Sequence, residues 1–207
     1  MNTNVHNMNN KISKTFSSEK KNLENKINLD LLSAIDNNGK ASQRYLSDKL
    51  SIALGLTNAY LKKCINKGLI KVKQIPKKRY FYYLTPEGFS EKSRLTFQFL
   101  TNSFDFFRQA RSECTKIFDN CKKKKYKNLA FVGKGDLLEI AILISKNYSF
   151  NIKIIKSTEL LNEKNFLHDA LVILDLFEPQ KIFNNAKNKI NQKKILAPNL
   201  LRINFKN

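Results

Sequence analysis

The chain has 207 residues, 42% of them hydrophobic, and a formal net charge of +21 from 38 Lys and Arg against 17 Asp and Glu. That apolar fraction can build a core and excludes wholesale disorder, while the charge points to a polyanionic partner. Lys outnumbers Arg, and Asn and Ile are abundant, so compositional drift also accounts for part of the charge; clustering along the chain separates the two readings.

Residues 1–25 are polar and rich in Asn, Lys and Ser, and they read as a flexible N-terminal arm. Their start, MNTNVHNMNNKISK, lacks the apolar stretch of a signal peptide. From Ile27 the apolar residues Ile27, Leu31, Leu32 and Ile35 recur at helical spacing, and Asn37-Asn38-Gly39 closes the run. Ser42 opens a second helix with Tyr45, Leu46 and Leu50 on one face. After Ser51-Ile52-Ala53 a third helix carries Leu54, Leu61, Cys64 and Ile65, and Lys67-Gly68 ends it.

The period then changes to two. Leu69-Ile70-Lys71-Val72-Lys73 and Tyr80-Phe81-Tyr82-Tyr83-Leu84 alternate around Gln74-Ile75-Pro76-Lys77-Lys78-Arg79, which predicts a hairpin with a basic tip. Thr85-Pro86-Glu87-Gly88 starts another helix, with Thr85 as N-cap and Pro86 in the first helical position. Three helices, a hairpin and a helix make the winged helix-turn-helix order over residues 26–101.

A long helix is expected over 86–120. Its apolar residues, among them Phe89, Leu95, Phe99, Leu100, Phe106, Phe107, Ile117 and Phe118, must be covered. Dimerisation and packing within one chain both account for them, and segment 102–126 is read as a helical linker or dimerisation element. Beyond Lys122-Lys123-Lys124-Lys125 the texture is α/β. Strands are expected at 128–132, 150–155 and 170–176, with a helix from Asp136 to about Asn147 and a further strand near Ile195 and Ile203. The expected fold is therefore an α+β N-terminal winged helix-turn-helix, a long connecting helix, and a small half-Rossmann-like α/β domain with a parallel sheet over 127–207.

The densest chemical signal is charge. Between Asp48 and Glu87 the chain has no acid but carries Lys49, Lys62, Lys63, Lys67, Lys71, Lys73, Lys77, Lys78 and Arg79. These fall on the third helix and the hairpin, where a winged helix meets phosphates. Lys63, Lys73, Lys77, Lys78 and Arg79 are candidate contacts, as are Gln43 and Arg44 at the start of the second helix. Base-reading candidates on the third helix are Gly55, Leu56, Asn58 and Lys62, with Asn58 suited to adenine and Leu56 to a thymine methyl.

Ser42-Gln43-Arg44-Tyr45-Leu46, Leu54-Gly55, Asn58, Leu61-Lys62 and Lys67-Gly68-Leu69-Ile70-Lys71-Val72 form one pattern. Tyr82-Tyr83-Leu84-Thr85-Pro86-Glu87-Gly88 and Glu91-Lys92-Ser93-Arg94-Leu95-Thr96 continue it. Over about residues 27–101 it resembles the MarR-type winged-helix regulators associated with exopolysaccharide and lipopolysaccharide gene clusters. The resemblance implies a dimeric bacterial repressor or activator that binds double-stranded DNA. Two positions depart from that pattern: Ser51 stands where the turn usually has Gly, and Ala53 where Ser usually caps the third helix. Losing the cap costs about 1 kcal/mol unless Ser51 caps instead.

Gly133-Lys134-Gly135 lies between a strand and a helix, as a phosphate-binding turn does. Leu138 replaces the third glycine of the dinucleotide fingerprint, and the second strand ends at Lys156 with no acid for a ribose, which argues against an intact NAD site. Two readings stay open: a degenerate fold kept for packing or dimerisation, and a nucleotide- or metabolite-binding sensor, or an enzyme with its chemistry in this domain, in which Gly133, Lys134 and Gly135 hold a phosphorylated or nucleotide ligand. The architecture is similar to redox-sensing repressors that join a winged helix to a Rossmann domain. Cys64, Cys114 and Cys121 have neither disulfide nor zinc spacing; Cys114 and Cys121, seven apart on one helix face, are structural thiols or a redox pair. His6 and His168 lie in no catalytic constellation, and no run approaches the ~20 apolar residues of a membrane span. The expectation is a cytoplasmic, nucleoid-associated protein that is not an enzyme, needs no metal or cofactor and has no membrane partner.

Overall fold

The computed structural model describes residues 3–39, 41–75, 79–158 and 166–206, with side chains from residue 20 onward apart from 75 and 79. The chain divides into two compact units, Met1–Asn102 and Ser103–Asn207. No helix among the described residues is long and apolar enough to cross a membrane.

The first unit holds α1 (Thr3–Asn37), α2 (Gln43–Leu50), α3 (Leu54–Asn66), the hairpin β1 (Ile70–Ile75) and β2 (Arg79–Leu84), and the start of α4 (Pro86–Lys123). The expected flexible arm is corrected, because α1 already begins at Thr3. Residues 3–37 contain neither Gly nor Pro, so nothing interrupts the helix. Among its described side chains, Leu31, Leu32, Ala34 and Ile35 are buried. They pack with Leu46, Leu61, Cys64, Ile70, Tyr82 and Leu95 into one core. Each large aliphatic side chain so buried contributes about 1.5–3 kcal/mol.

The hairpin is antiparallel, from Ile70 opposite Leu84 to Ile75 opposite Arg79. The joint between wing and α4 is hydrogen-bonded through Thr85. Its hydroxyl donates to Gly68 O (2.6 Å) and accepts from Gly88 N (3.0 Å), as an N-cap does.

The second unit contains the end of α4, β3 (Asn128–Val132), α5 (Asp136–Ser145), β4 (Asn151–Ile155), β5 (Ala170–Ile173), α6 (Pro179–Lys187) and β6 (Ile195–Leu196). The sheet has the order β4-β3-β5-β6 with every pair parallel, the half-Rossmann arrangement expected. Ala110, Cys114, Phe118 and Cys121 turn one face of α4 into this unit's core, where Phe118 stacks on Phe131 at 5.7 Å. Intrachain packing thus accounts for that face.

Three details differ from the sequence expectation. β5 stops at Ile173 rather than 176, because Asp175 is buried and folds the chain back by accepting from the amides of Phe177 and Glu178, each at 2.8 Å. Ile203 lies outside any strand. Helix α6 was not expected, since Asn184 and Asn185 are weak helix formers; the burial of Ile182, Phe183 and Ala186 decides it.

Candidate nucleic-acid interface

Ser42 caps α2, its hydroxyl accepting from Tyr45 N at 3.1 Å. Ser51 then takes the left-handed conformation (φ 52°, ψ 40°), which explains why a glycine suits this turn. Ala53 is the N-cap of α3 and supplies no side-chain bond, so Ser51 does not replace the missing cap. Thr57, buried, donates to Ala53 O at 3.2 Å.

Thr57, Leu61 and Cys64 form the inner row of α3. At 100° per residue the opposite row is Gly55, Ala59, Lys62 and Asn66, all exposed. Gly55 and Lys62 were singled out from the sequence; Ala59 and Asn66 were not, and helical phase alone could have found them. Leu56 is 46% exposed on one flank. Asn58, on the other, is half-buried, and its Oδ1 is buried with no hydrogen-bond partner among the described residues.

Tertiary structure redistributes the basic residues. Lys63 is ion-paired to Glu24 of α1. Lys67 and Lys71 lie close enough to Glu91 and Glu87 to hold those carboxyls lower, although backbone hydrogen bonding dominates at Glu87 and the Arg94 hydrogen bond at Glu91. The stretch without acids in sequence therefore has acids beside it in space. Lys62, Lys73 and Arg44 remain exposed. Gln43 donates to the Tyr82 hydroxyl at 2.9 Å, so it braces the wing against α2. Lys77 and Lys78 lie outside the described residues, as does the side chain of Arg79, whose backbone pairs with Ile75.

The second candidate lies where β3 and β5 diverge in chain order, the switch point at which open α/β sheets bind ligands. Gly133 (φ 148°) passes so close to β5 that a Cβ would stand 2.4 Å from the Leu174 carbonyl carbon and 2.6 Å from Asp175 N. Gly135 (φ 78°) is the N-cap of α5. The Lys134 ammonium lies 5.0 Å from the ring centre of Phe177. Sequence reading missed Asp175 and Phe177, which follow the buried strand and come to the turn only through the sheet. Burial pushes the thiols of Cys114 and Cys121 up to about 12 and about 11. Glu113 adds to the first shift, and Lys124 opposes the second.

Residues 24–71 match the family model described as winged helix-turn-helix DNA-binding. The first unit thus has the winged helix-turn-helix fold. No curated protein matches the chain. Among solved structures, MepR, a transcription regulator of the Staphylococcus aureus multidrug efflux pump MepA, is similar at 18% identity and a TM-score of 0.39, over 60% of this chain and 96% of that one. A MarR family regulator from Silicibacter pomeroyi is similar at 15% identity and 0.36, over 58% and 83%. Human N-acetylserotonin methyltransferase in complex with SAM aligns over 95% of this chain and 80% of that one, at 11% identity and 0.31. These likenesses are of fold.

The last of them corrects two expectations. A match that runs along most of the chain is to an enzyme in complex with SAM, and neither "not an enzyme" nor "no cofactor" is retained. At residue level the fit to such a nucleoside is partial. The Gly133 turn admits close approach, but Asp175 Oδ1 is already taken by two amides and exposed Lys156 follows β4. Through Thr158 no described carboxylate follows that strand to accept ribose hydroxyls.

Proposed function

We propose that this protein is a sequence-specific, double-stranded-DNA-binding transcriptional regulator, with α3 in the major groove and the basic wing on neighbouring phosphates or in the minor groove. The observation that carries the reading is the bare outer row of α3, Gly55-Ala59-Lys62-Asn66, opposite a fully packed inner row. Gly55 adds to it, since a Cβ there would meet nothing within 4 Å. A glycine that internal packing does not require suits a backbone that must approach another surface. Arg44 and Lys73 are assigned to phosphates, Leu56 and Lys62 to base edges. Exposed Phe97, Leu100, Phe104 and Phe107 recur along one face of α4 and support a homodimer through that helix. Surface-polysaccharide genes are the targets that the sequence resemblance suggests.

The test is a titration of the purified chain against the duplex upstream of its own gene, duplexes upstream of surface-polysaccharide genes and a scrambled duplex, across a salt series. Preference for one native duplex at fixed salt is expected. Equal binding to all of them would reduce the protein to a nonspecific coater.

A second reading rests on the Gly133-Lys134-Gly135 turn at the switch point: this unit takes a nucleoside-bearing ligand as effector or cosubstrate. Thermal-shift measurements with S-adenosylmethionine, S-adenosylhomocysteine and ADP test it. Stabilisation that Gly133→Ala abolishes supports it, provided the variant melts cooperatively; no shift at millimolar ligand removes it.

A further inference from the structure

Half of the excess charge lies outside the winged-helix unit. Residues 103–207 hold 20 Lys and Arg against 10 Asp and Glu, a formal +10. Most described acids of this unit have internal partners. Asp105 pairs with Arg108, and Glu178 with Lys181. Glu113 accepts from Leu200 N at 2.8 Å, Asp119 from the Tyr148 hydroxyl at 2.8 Å, and Asp175 from two amides.

The lysines gather at the edge where the parallel strands begin. Lys122 and Lys123 end α4, Lys124 and Lys125 form the turn after it, Lys127 precedes β3, and Lys193 and Lys194 precede β6; all are exposed. Folding draws these segments together around Asp169, which precedes β5. Its Oδ2 accepts from Lys127 N and Asn128 N, each at 2.8 Å. These bonds, with the charges of Lys194 and His168, hold its carboxyl below the usual range. Asp169 and Lys124 also both act on Cys121. The Lys124 ammonium lies 5.7 Å from the ring centre of Tyr126. Oδ2 of the carboxylate at this edge is thus engaged by two backbone amides, and the lysines around it are exposed.

We infer that the strand-start edge of the C-terminal sheet, Lys122–Lys125 with Lys127, Lys193 and Lys194, is a second polyanion surface that takes the phosphate backbone of duplex DNA without reading its sequence. Ammonium groups on flexible stems act as point charges, and each phosphate they neutralise releases counterions. The surface lies at the opposite end of the strands from the Gly133 turn, so it is separate from the ligand candidate. Its choice of duplex as partner rests on the DNA-binding reading of the first unit.

The experiment uses the full chain in four forms: wild type; the edge variant Lys122→Gln, Lys123→Gln, Lys125→Gln; a control of equal charge loss, Lys181→Gln, Arg202→Gln, Lys206→Gln; and the helix variant Lys62→Gln. Each is titrated with native and scrambled duplexes of about 30 base pairs across a salt series, after melting confirms folding. The edge variant is expected to bind both duplexes at least tenfold more weakly. Its slope of log affinity against log salt should be shallower by about 2–3, with about 0.9 lost per phosphate contact. The control should change less than twofold. Equal losses in edge and control variants would mean net charge alone, and an unchanged edge variant would overturn the surface. Unchanged duplex binding with loss of binding to phosphatidylserine vesicles would make it a membrane contact and also overturn it. If instead Lys62→Gln changes nothing while the edge variant loses affinity, the helix assignment fails and this surface stands.

Discussion

A Cβ on Gly88 would stand 2.1 Å from the carbonyl oxygen of Leu69 and 3.1 Å from its carbonyl carbon. The same Leu69 oxygen accepts from Thr85 N at 3.1 Å, so the first turn of α4 is pressed onto the start of the wing. Gly88→Ala must push two backbone segments apart and is expected to cost about 1–3 kcal/mol or more. Exposed Glu87→Ala should melt close to wild type. Thermal or urea melting measures both, and equal melting of the two variants would mean that the joint yields without strain.

The start of α3 is left suboptimal. Ser51 sits at φ 52° and Ala53 offers no cap. Ser51→Gly should stabilise by about 0.5–1 kcal/mol by relieving the left-handed strain, and Ala53→Ser by about 0.5–2 kcal/mol through a cap to the amide of Leu56. Chemical denaturation checks each; a loss of stability in either would mean that the turn geometry differs from that described.

Along α3, stability and binding should respond separately. Gly55→Ala should raise helix stability by up to about 1 kcal/mol yet weaken binding to the native duplex. Lys62→Gln should weaken binding without changing the melting temperature. Lys63→Gln should lose less affinity and up to about 1 kcal/mol of stability, because Lys63 is paired with Glu24. Parallel melting and titration separate the three, and identical binding by all of them would remove α3 from the interface.

Cys114 and Cys121 should resist thiol reagents in the folded chain at pH 8. With pKa values of about 12 and about 11, only about one thiol in ten thousand and one in a thousand is ionised there. Because folding raises these pKa values, the stabilisation is complete below the unfolded value near 8.5 and is lost as pH rises toward 11–12. Reagent uptake with and without urea tests this. Rapid labelling of either position without denaturant would favour a redox role.

Asp169 works in the other direction. Backbone hydrogen bonds from Asn128 and Lys127 lower its carboxyl, so its contribution is present above the unfolded value near 4 and disappears as pH falls through the lower folded one. Asp169→Asn should melt lower at pH 7 and lose less than wild type between pH 4 and pH 2. Parallel pH profiles for the two proteins would assign the acid transition to other carboxylates.

Local signals carried most of the architecture. Thr85-Pro86 announced a helix start that folds as expected, and the alternation of 69–73 and 80–84 became β1 and β2. The buried apolar strands 128–132 and 170–173 formed a parallel sheet. Each of these is set by periodicity or a cap within a few residues, which is information a sequence holds directly. Helix α6 and the first turns of α1 were missed, although Ile182, Phe183 and Ala186 and, in α1, Val5, Met8, Ile12 and Phe16 recur at helical spacing; the asparagines among them are weak helix formers and obscure the pattern.

What tertiary structure alone decided is which charges stand free and which loops meet. The sequence offered Lys62 and Lys63 side by side as DNA contacts; folding α1 across α3 pairs Lys63 with Glu24 and leaves Lys62 exposed. It showed Gly133-Lys134-Gly135 as a turn, but only parallel pairing of β3 with β5 brings Asp175 and Phe177 to it, more than 40 residues along the chain. The physical reason is the same in both cases. Secondary structure follows from contacts a few residues apart, whereas an electrostatic surface or a ligand cleft is made by groups whose neighbours are chosen by the packing of distant segments.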